Sequence, residues 1–242
     1  MSELHNVPPF SLSPIGTISS DYPDKFGVPR QPGLVTAASA TLTLVAPFDD
    51  PLCVRGLEAF SHIWVSFIFH QNPDRWAPMV RPPRLGGNRK VGVFASRSPN
   101  RPNRLGLSLV ALERIDTRKG VRLHLKGADL VDGTPVIDIK PYLPWADNDL
   151  NARAGFAPAS PDLLEVTFSA AAESALNARD DGQELRELIY QVLSQDPRPA
   201  YHANDSGRIY GLPLRNLDVR FLLESATTGR PCMQVISLEP RR

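Results

Sequence analysis

The sequence predicts a mainly β protein: a barrel or sandwich in the first two-thirds of the chain, then a small α+β domain. Three observations predict it. Short apolar runs bounded by Gly, Pro or Asn recur at close spacing up to about residue 140, as multi-stranded sheets require. Proline outnumbers glycine 24 to 16, about twice its usual share of ~5%, which favours fixed turns over long helices. Composition changes after Tyr142, where residues 143–161 carry Pro, Asp, Asn, Ala and Gly without periodicity. The expected division is a first domain over 1–145, a linker over 146–161 and a second domain over 162–242.

The runs expected as strands are Thr41–Pro47, Phe60–His70, Val91–Ser98, Leu107–Ile115, Val121–Leu130 and Val136–Ile139. In V-R-L-H-L, alternation puts Val121, Leu123 and Leu125 on one face and Arg122 and His124 on the other, the pattern of a half-buried strand. Phe60–His70 is almost wholly apolar or aromatic and reads as a central strand covered on both sides. Past the linker, Leu164–Ser169 reads as a strand and Ala170–Ser194 as one helix, with Leu185, Leu188, Ile189, Val192 and Leu193 on one face. Pro197 and Pro199 stop it, and Leu217–Leu223 and Met233–Leu238 supply closing strands.

Several classes are excluded. No GxGxxG follows a strand, and no P-loop, HExxH or GxSxG is present, so neither a Rossmann dinucleotide fold nor those hydrolase sites are expected. Cys53 and Cys232 are the only cysteines and are far apart, which suits reduced thiols and argues against a zinc site or disulfide framework. No metal is expected. No apolar run reaches the ~20 residues of a membrane span, and the first residues do not read as a signal peptide, so a soluble cytoplasmic protein is the expectation.

Charge is segregated. Arg75 to Arg104 holds eight basic side chains and no acidic one, in a chain whose net charge is only +1. A local cationic patch of that kind attracts a polyanion to one face of a nearly neutral protein. Elsewhere, D-L-V-D-G-T-P-V-I-D-I-K-P-Y (Asp129–Tyr142) sets Asp138, Lys140 and Tyr142 on one strand parity with Val136, with Ile137 and Ile139 on the other. An acid, a base and a phenol in one row can move a proton or position a polar substrate; a structural ion pair with a capping Tyr is the equal alternative. Lys25–Leu34 frames Arg30 and Gln31 between Pro29 and Pro32, a stiff loop that suits a ligand grip or an ordinary turn. His70 and Gln71 end the apolar strand, without a second ligand at metal spacing. D-P-R-P-A-Y (Asp196–Tyr201) is a helix stop that also offers groups able to contact a nucleotide.

VPRQPG, RGLEAFSHIWVSFIFHQ, RPPRLGG, VGVFASRSPNRPNRLGLSLV, DLVDGTPVIDIKPY and DPRPAY, in that order between Ile15 and Leu238, resemble the TsaA-like family of S-adenosylmethionine-dependent tRNA methyltransferases. The resemblance implies a non-Rossmann β-barrel methyltransferase acting as a homodimer on the tRNA anticodon stem–loop. Its implied substrate is N6-threonylcarbamoyladenosine immediately 3′ of the anticodon, which gains an N6 methyl. Matching the family's cofactor motifs are Pro29, Arg30, Gln31, His70, Gln71, Arg97, Leu105 and the turn Asp129, Leu130, Val131, Asp132, Gly133. Asp138, Lys140 and Tyr142 are the catalytic candidates. Arg84, Arg89, Lys90, Arg101 and Arg104, with Arg198 and Tyr201 of DPRPAY, are the candidates for RNA contact. A methyltransferase with another acceptor, a non-catalytic RNA-binding barrel and a structural dimer are the competing readings.

Overall fold

The computed structural model describes residues 11–86, 88–198, 207–225 and 231–241. Six antiparallel strands close into a barrel: β1 (Gly16–Ser20), β2 (Ser39–Leu44), β3 (His62–Ile68), β6 (Leu105–Asp116), β7 (Arg122–Lys126) and β8 (Pro135–Pro141). Around it they run β1-β2-β7-β6-β3-β8. Alternation fills the interior, with Ile18, Leu42, Ile63, Val65, Leu123 and Val136 all essentially inaccessible. Val121, Leu123 and Leu125 point inward and Arg122 outward, as the V-R-L-H-L pattern requires.

Antiparallel pairing all the way round sorts the connections to two ends. One end carries the loops after β1 (residues 21–38), after β3 (69–104) and after β7 (127–134). The other carries 45–61 and 117–121. The long loop after β3 is pinned by a two-residue ribbon, β4 (Met79–Val80) with β5 (Val91–Gly92).

The second unit is a four-stranded sheet in the order β10 (Tyr210–Leu214), β11 (Leu217–Ser225), β12 (Pro231–Pro240), β9 (Glu165–Phe168), with β9 and β12 parallel. On it pack α2 (Ala170–Asn177) and α3 (Gly182–Ser194); a single turn, α1 (Pro144–Asp147), lies in the connection between the units. Ser169 caps α2, its Oγ accepting from the Ala172 N–H at 3.1 Å. Leu185, Leu188, Ile189, Val192 and Leu193 of α3 are buried, as their spacing demands.

Four local readings change. The expected helix 170–194 is two helices, because Asp180-Asp181-Gly182 turns the chain and Gly182 abuts the end of α2. The expected strand Val91–Ser98 pairs only at Val91–Gly92 and then enters a 3-10 turn, where Ser96 Oγ donates to Val93 O and takes over the local hydrogen bonding. Phe60–His70 is covered on one side only: Ile63, Val65 and Phe67 face the core, while Trp64, Ser66 and Ile68 are half-buried outside. In β8 a bulge lies between the partners of Ser66 and Phe67, so Val136 and Ile139 both turn inward while Asp138 and Lys140 face out. Strands β1 and β10 were not expected; β1 is short and Ser/Thr-rich, and β10 contains Pro213. No helix among the described residues is long and apolar enough to cross a membrane.

A Cβ on Gly182 would fall 2.0 Å from the Leu176 carbonyl oxygen, a backbone atom that moves only with α2. Gly182→Ala is therefore expected to lower stability by about 1–3 kcal/mol, read from urea unfolding. An unchanged midpoint would show that this junction yields freely.

Candidate functional site

The three loops at one end of the barrel are cross-linked into a single surface. The 127–134 turn is laced onto β1: Gly133 N–H donates to Ile18 O at 2.8 Å, Asp132 N–H to Tyr22 O at 2.8 Å, and Ser20 Oγ to Leu130 O at 2.7 Å. Ser20 N–H also donates to Asp132 Oδ1 at 3.0 Å, which holds that carboxylate at the rim. Gly33 N–H donates to Gly127 O at 2.8 Å, joining the 21–38 loop to the same turn. Lys25 Nζ donates to Gln71 O at 3.1 Å, and an Arg97 guanidinium N–H donates to Gln31 Oε1, tying both to the 69–104 loop.

Pro29, Arg30, Gln31, His70, Gln71, Arg97, Asp129, Val131, Asp132 and Gly133 are thus brought to one end of the barrel from three separate stretches of sequence. Leu105 begins β6 at the same end and is exposed. Leu130 differs: its side chain is buried in the barrel core, so only its backbone belongs to the rim. Gly133 packs beside His70, where a Cβ would lie 3.8 Å from Nε2. Asn103 and Arg104 both take positive φ (61° and 51°), an uncommon pair that turns the chain into β6.

Electrostatics single out Asp129. Burial pushes its carboxyl up to about 6, opposed by a 2.5 Å hydrogen bond from Ser108 Oγ and by the Arg97 cation. Ser108 was missed from the sequence, though the signal exists: it is a hydroxyl on the inward parity of the apolar run L-G-L-S-L-V. The Tyr22 phenol is held neutral by burial and by the Asp21 and Asp129 charges, and its hydroxyl has no hydrogen-bond partner among the described residues. Burial lowers the His70 imidazole below its ordinary value; Asp132 opposes this and Lys25 adds to it.

The row Asp138, Lys140, Tyr142 lies elsewhere. It shares the outer face of the barrel, with Tyr142 edge-on to Trp64 (6.1 Å) and His62 (6.4 Å). Asp138 sits opposite Ser66, near the loop-bearing end; Tyr142 N–H bonds His62 O, about 13 Å further along β3 at ~3.3 Å per residue. These three do not enter the cluster around Asp129.

The basic residues divide. Arg84 donates to Ala159 O, Arg101 to Ser96 O at 3.2 Å, and Arg104 to Asn72 O at 3.4 Å with Asp74 at 3.7 Å. Arg89 and Lys90 are exposed and have no side-chain partner among the described residues. Phe94 stands between them and Arg97 with 77% of its surface exposed. Arg198 is buried and paired with Asp196 at 2.8 Å, so it braces its own loop instead of facing a phosphate. Tyr201 lies outside the described residues. Among the described residues no group of three or more His, Cys, Asp or Glu is placed to hold a metal ion.

Two cavities compete. One of about 360 Å³ lies at the opposite end, lined by Pro51, Leu52, Val54 and Ile115 with Arg55, Glu58 and Thr117. The other, about 100 Å³, lies between the Val28–Arg30 segment and the end of α3. The smaller one adjoins the loop cluster through Lys25 and Arg30, and that cluster holds the burial-shifted Asp129 and His70, which mark a site where volume by itself does not.

Because Asp129 titrates at about 6 in the folded chain and near 3.8 when free, the folded state holds the extra proton between those values. Stability therefore falls as pH rises from about 4 through 6, and at pH 7 the buried charge costs on the order of 3 kcal/mol. Asp129→Asn is expected to raise the unfolding free energy at pH 7, with the gain vanishing at pH 4. A gain independent of pH would exclude the charge as its cause.

Comparison with known proteins matches residues 17–148 to the tRNA-methyltransferase O N-terminal domain and residues 161–241 to the TrmO C-terminal domain. A tRNA (adenine(37)-N6)-methyltransferase of Escherichia coli K12 is 47% identical over 237 residues, covering 96% of this chain and 99% of that protein. A Pseudomonas aeruginosa protein provisionally named an S-adenosylmethionine-dependent methyltransferase, RcsF, is 50% identical over 87% of this chain and 91% of its own length. The crystal structure of TrmO from P. aeruginosa superposes with a TM-score of 0.78 at 41% identity, covering 98% of this chain and 99% of that one. With both of its units matched and its barrel shared, the chain belongs to the TrmO, or TsaA-like, family of tRNA methyltransferases.

Proposed function

We propose that this protein is an S-adenosylmethionine-dependent methyltransferase that methylates N6 of adenine 37 in tRNA and accepts that base as N6-threonylcarbamoyladenosine. The observation that carries the reading is the convergence of Gln31, Arg97, His70 and Asp129 from three loops at one end of a barrel. The E. coli relative is named for methylating that atom. The chain works as a barrel unit over 1–145 that holds the chemistry and a C-terminal unit over 162–242, in the cytoplasm.

The donor set at the loop end fits the cofactor. Arg30 and Arg97 suit its carboxylate, the Asp129 and Asp132 carboxylates suit its ammonium and ribose hydroxyls, and Leu105 with the Leu130–Val131 backbone suits the adenine. When bound, S-adenosylmethionine supplies an electrophilic methyl group on a sulfonium. The residues then have two tasks. One is to hold the acceptor nitrogen in line, the source of most of the rate gain in such a transfer. The other is to relieve N6 of its proton, because its lone pair is delocalised into the purine and the carbamoyl carbonyl. Asp138 is assigned as the proton acceptor, with Tyr142 beside it and Lys140 holding the threonyl carboxylate.

Those three lie outside the barrel, so the reading requires a homodimer in which this face meets the partner's loop end. The exposure of Leu105 and Leu107 beside half-buried Trp64 supports such an interface. Arg89 and Lys90, unpaired among the described residues, are assigned to anticodon-stem phosphates, and Phe94 to a splayed base, as readers of single-stranded RNA prefer.

The deciding experiment incubates the protein with labelled S-adenosylmethionine and total tRNA from cells with and without the threonylcarbamoyl modification. Methyl-threonylcarbamoyladenosine arising only in the modified pool supports the reading; transfer to neither pool, with cofactor bound, refutes the acceptor. Asp138→Asn is expected to cut turnover at least ~100-fold while leaving cofactor affinity within a few-fold. Mixing it with inactive Arg97→Ala should restore activity if the site is shared between subunits. Replacing both Arg89 and Lys90 with Ala should weaken tRNA binding and reduce its salt slope by about 2; a wild-type slope would remove them from the RNA surface.

A further inference from the structure

Between β1 and β2 the chain leaves the barrel for residues 21–38, without regular secondary structure, and its apolar packing belongs to the C-terminal unit. Tyr22, Val35 and Ala38 are buried in one cluster with Leu188, Val192 and Phe221, and Phe26, Val28 and Ala37 pack against it. They join the second core, not the barrel's.

Three anchors fix this loop along its length. At its root, Arg215 donates from Nε to Asp21 Oδ1 at 2.8 Å and from Nη1 to Asp181 Oδ2 at 2.9 Å. The Arg215 N–H also donates to Asp21 O at 2.9 Å, from a residue at φ 53°. Burial works against the Arg215 cation, and Asp21 with Asp181 outweighs it. Asp21 Oδ2 in turn accepts from Ser39 N–H at 2.7 Å, closing the loop's two ends on each other. In the middle, Gly27 at φ 92° is covered by Leu212, whose Cδ1 would lie 2.1 Å from a Cβ there. Near the exit, Gln191 of α3 accepts from Ala37 N–H at 3.0 Å and is oriented by donating to Glu187 at 2.8 Å.

Pro29, Arg30 and Gln31 lie between the second and third anchors. We propose that the C-terminal unit positions the cofactor loop, with Arg215 and Gln191 as positioning residues that touch no ligand but hold the Gln31–Arg97 contact in register. This rests on the reading of that loop as part of the S-adenosylmethionine site. A loop without strand pairing would otherwise have to be ordered when ligand binds, and ordering in advance strengthens binding.

The test uses the full-length chain and S-adenosylhomocysteine, titrated calorimetrically well below each variant's unfolding midpoint. Arg215→Met is expected to weaken binding about 10-fold and Gln191→Ala about 3-fold, while tRNA affinity stays within about two-fold. Arg215→Lys, able to reach one carboxylate and not both, should fall between wild type and Met. In methyl transfer the defect should appear in KM for the cofactor, with kcat recovered at saturation. A purely structural role would lower the midpoint and leave the dissociation constant alone, and wild-type affinity in Arg215→Met and Gln191→Ala would overturn the proposal. If Arg215→Met does not fold, Gln191→Ala alone decides. Failure of the wild type to bind would instead bring down the cofactor reading, and the positioning role with it.

Discussion

Closure of the barrel between β1 and β8 is the constraint from which the candidate site follows. That seam pairs only Gly16 with Val136 and Thr17 with Pro135. Beyond it the Asp129–Thr134 turn continues the hydrogen bonding onto Ile18, Ser20 and Tyr22. A closed sheet leaves no free edge, so these backbone groups must find each other at the seam. The turn is consequently rigid, and it delivers Asp129 under the rim while the loops after β1 and β3 arrive from either side.

Rigidity makes a costly arrangement tolerable. A carboxylate raised to about 6, a buried phenol without a partner and two successive residues at positive φ all destabilise the free chain. Such features persist where the surrounding scaffold fixes them, and here they gather at one end of the barrel. The opposite end holds the larger hollow and none of these three features; the carboxyl shifted there, Asp116, is lowered by its exposed pair with Arg118. The C-terminal unit extends the same logic, supplying a second core for a loop that the barrel holds by a few backbone hydrogen bonds at Tyr22, Gly33 and Ala38.

Much of this was legible in the sequence, for reasons that differ by element. The V-R-L-H-L alternation identified β7 because one face is buried and one is wet. The α3 stripe was equally plain, but its continuation into α2 was misread, since a glycine's close approach to a carbonyl leaves no trace in periodicity. The parity of Asp138, Lys140 and Tyr142 gave them one outward face; what it could not reveal is the bulge that sends Val136 and Ile139 inward together. Ser108 and Arg215 escaped because their partners, Asp129 and Asp21, are distant in sequence. Composition marked the basic stretch, yet pairing distinguishes Arg89 and Lys90 from Arg84, Arg101 and Arg104, and burial withdraws Arg198.

The central claim is where the cofactor sits, and hydrogen exchange with and without S-adenosylhomocysteine tests it most directly. The account predicts slowed exchange in residues 25–31, 69–71, 96–105 and 129–133, with the segment 45–61 unchanged. Protection confined to 51–58 and 115–117, around the larger hollow at the far end of the barrel, would contradict it.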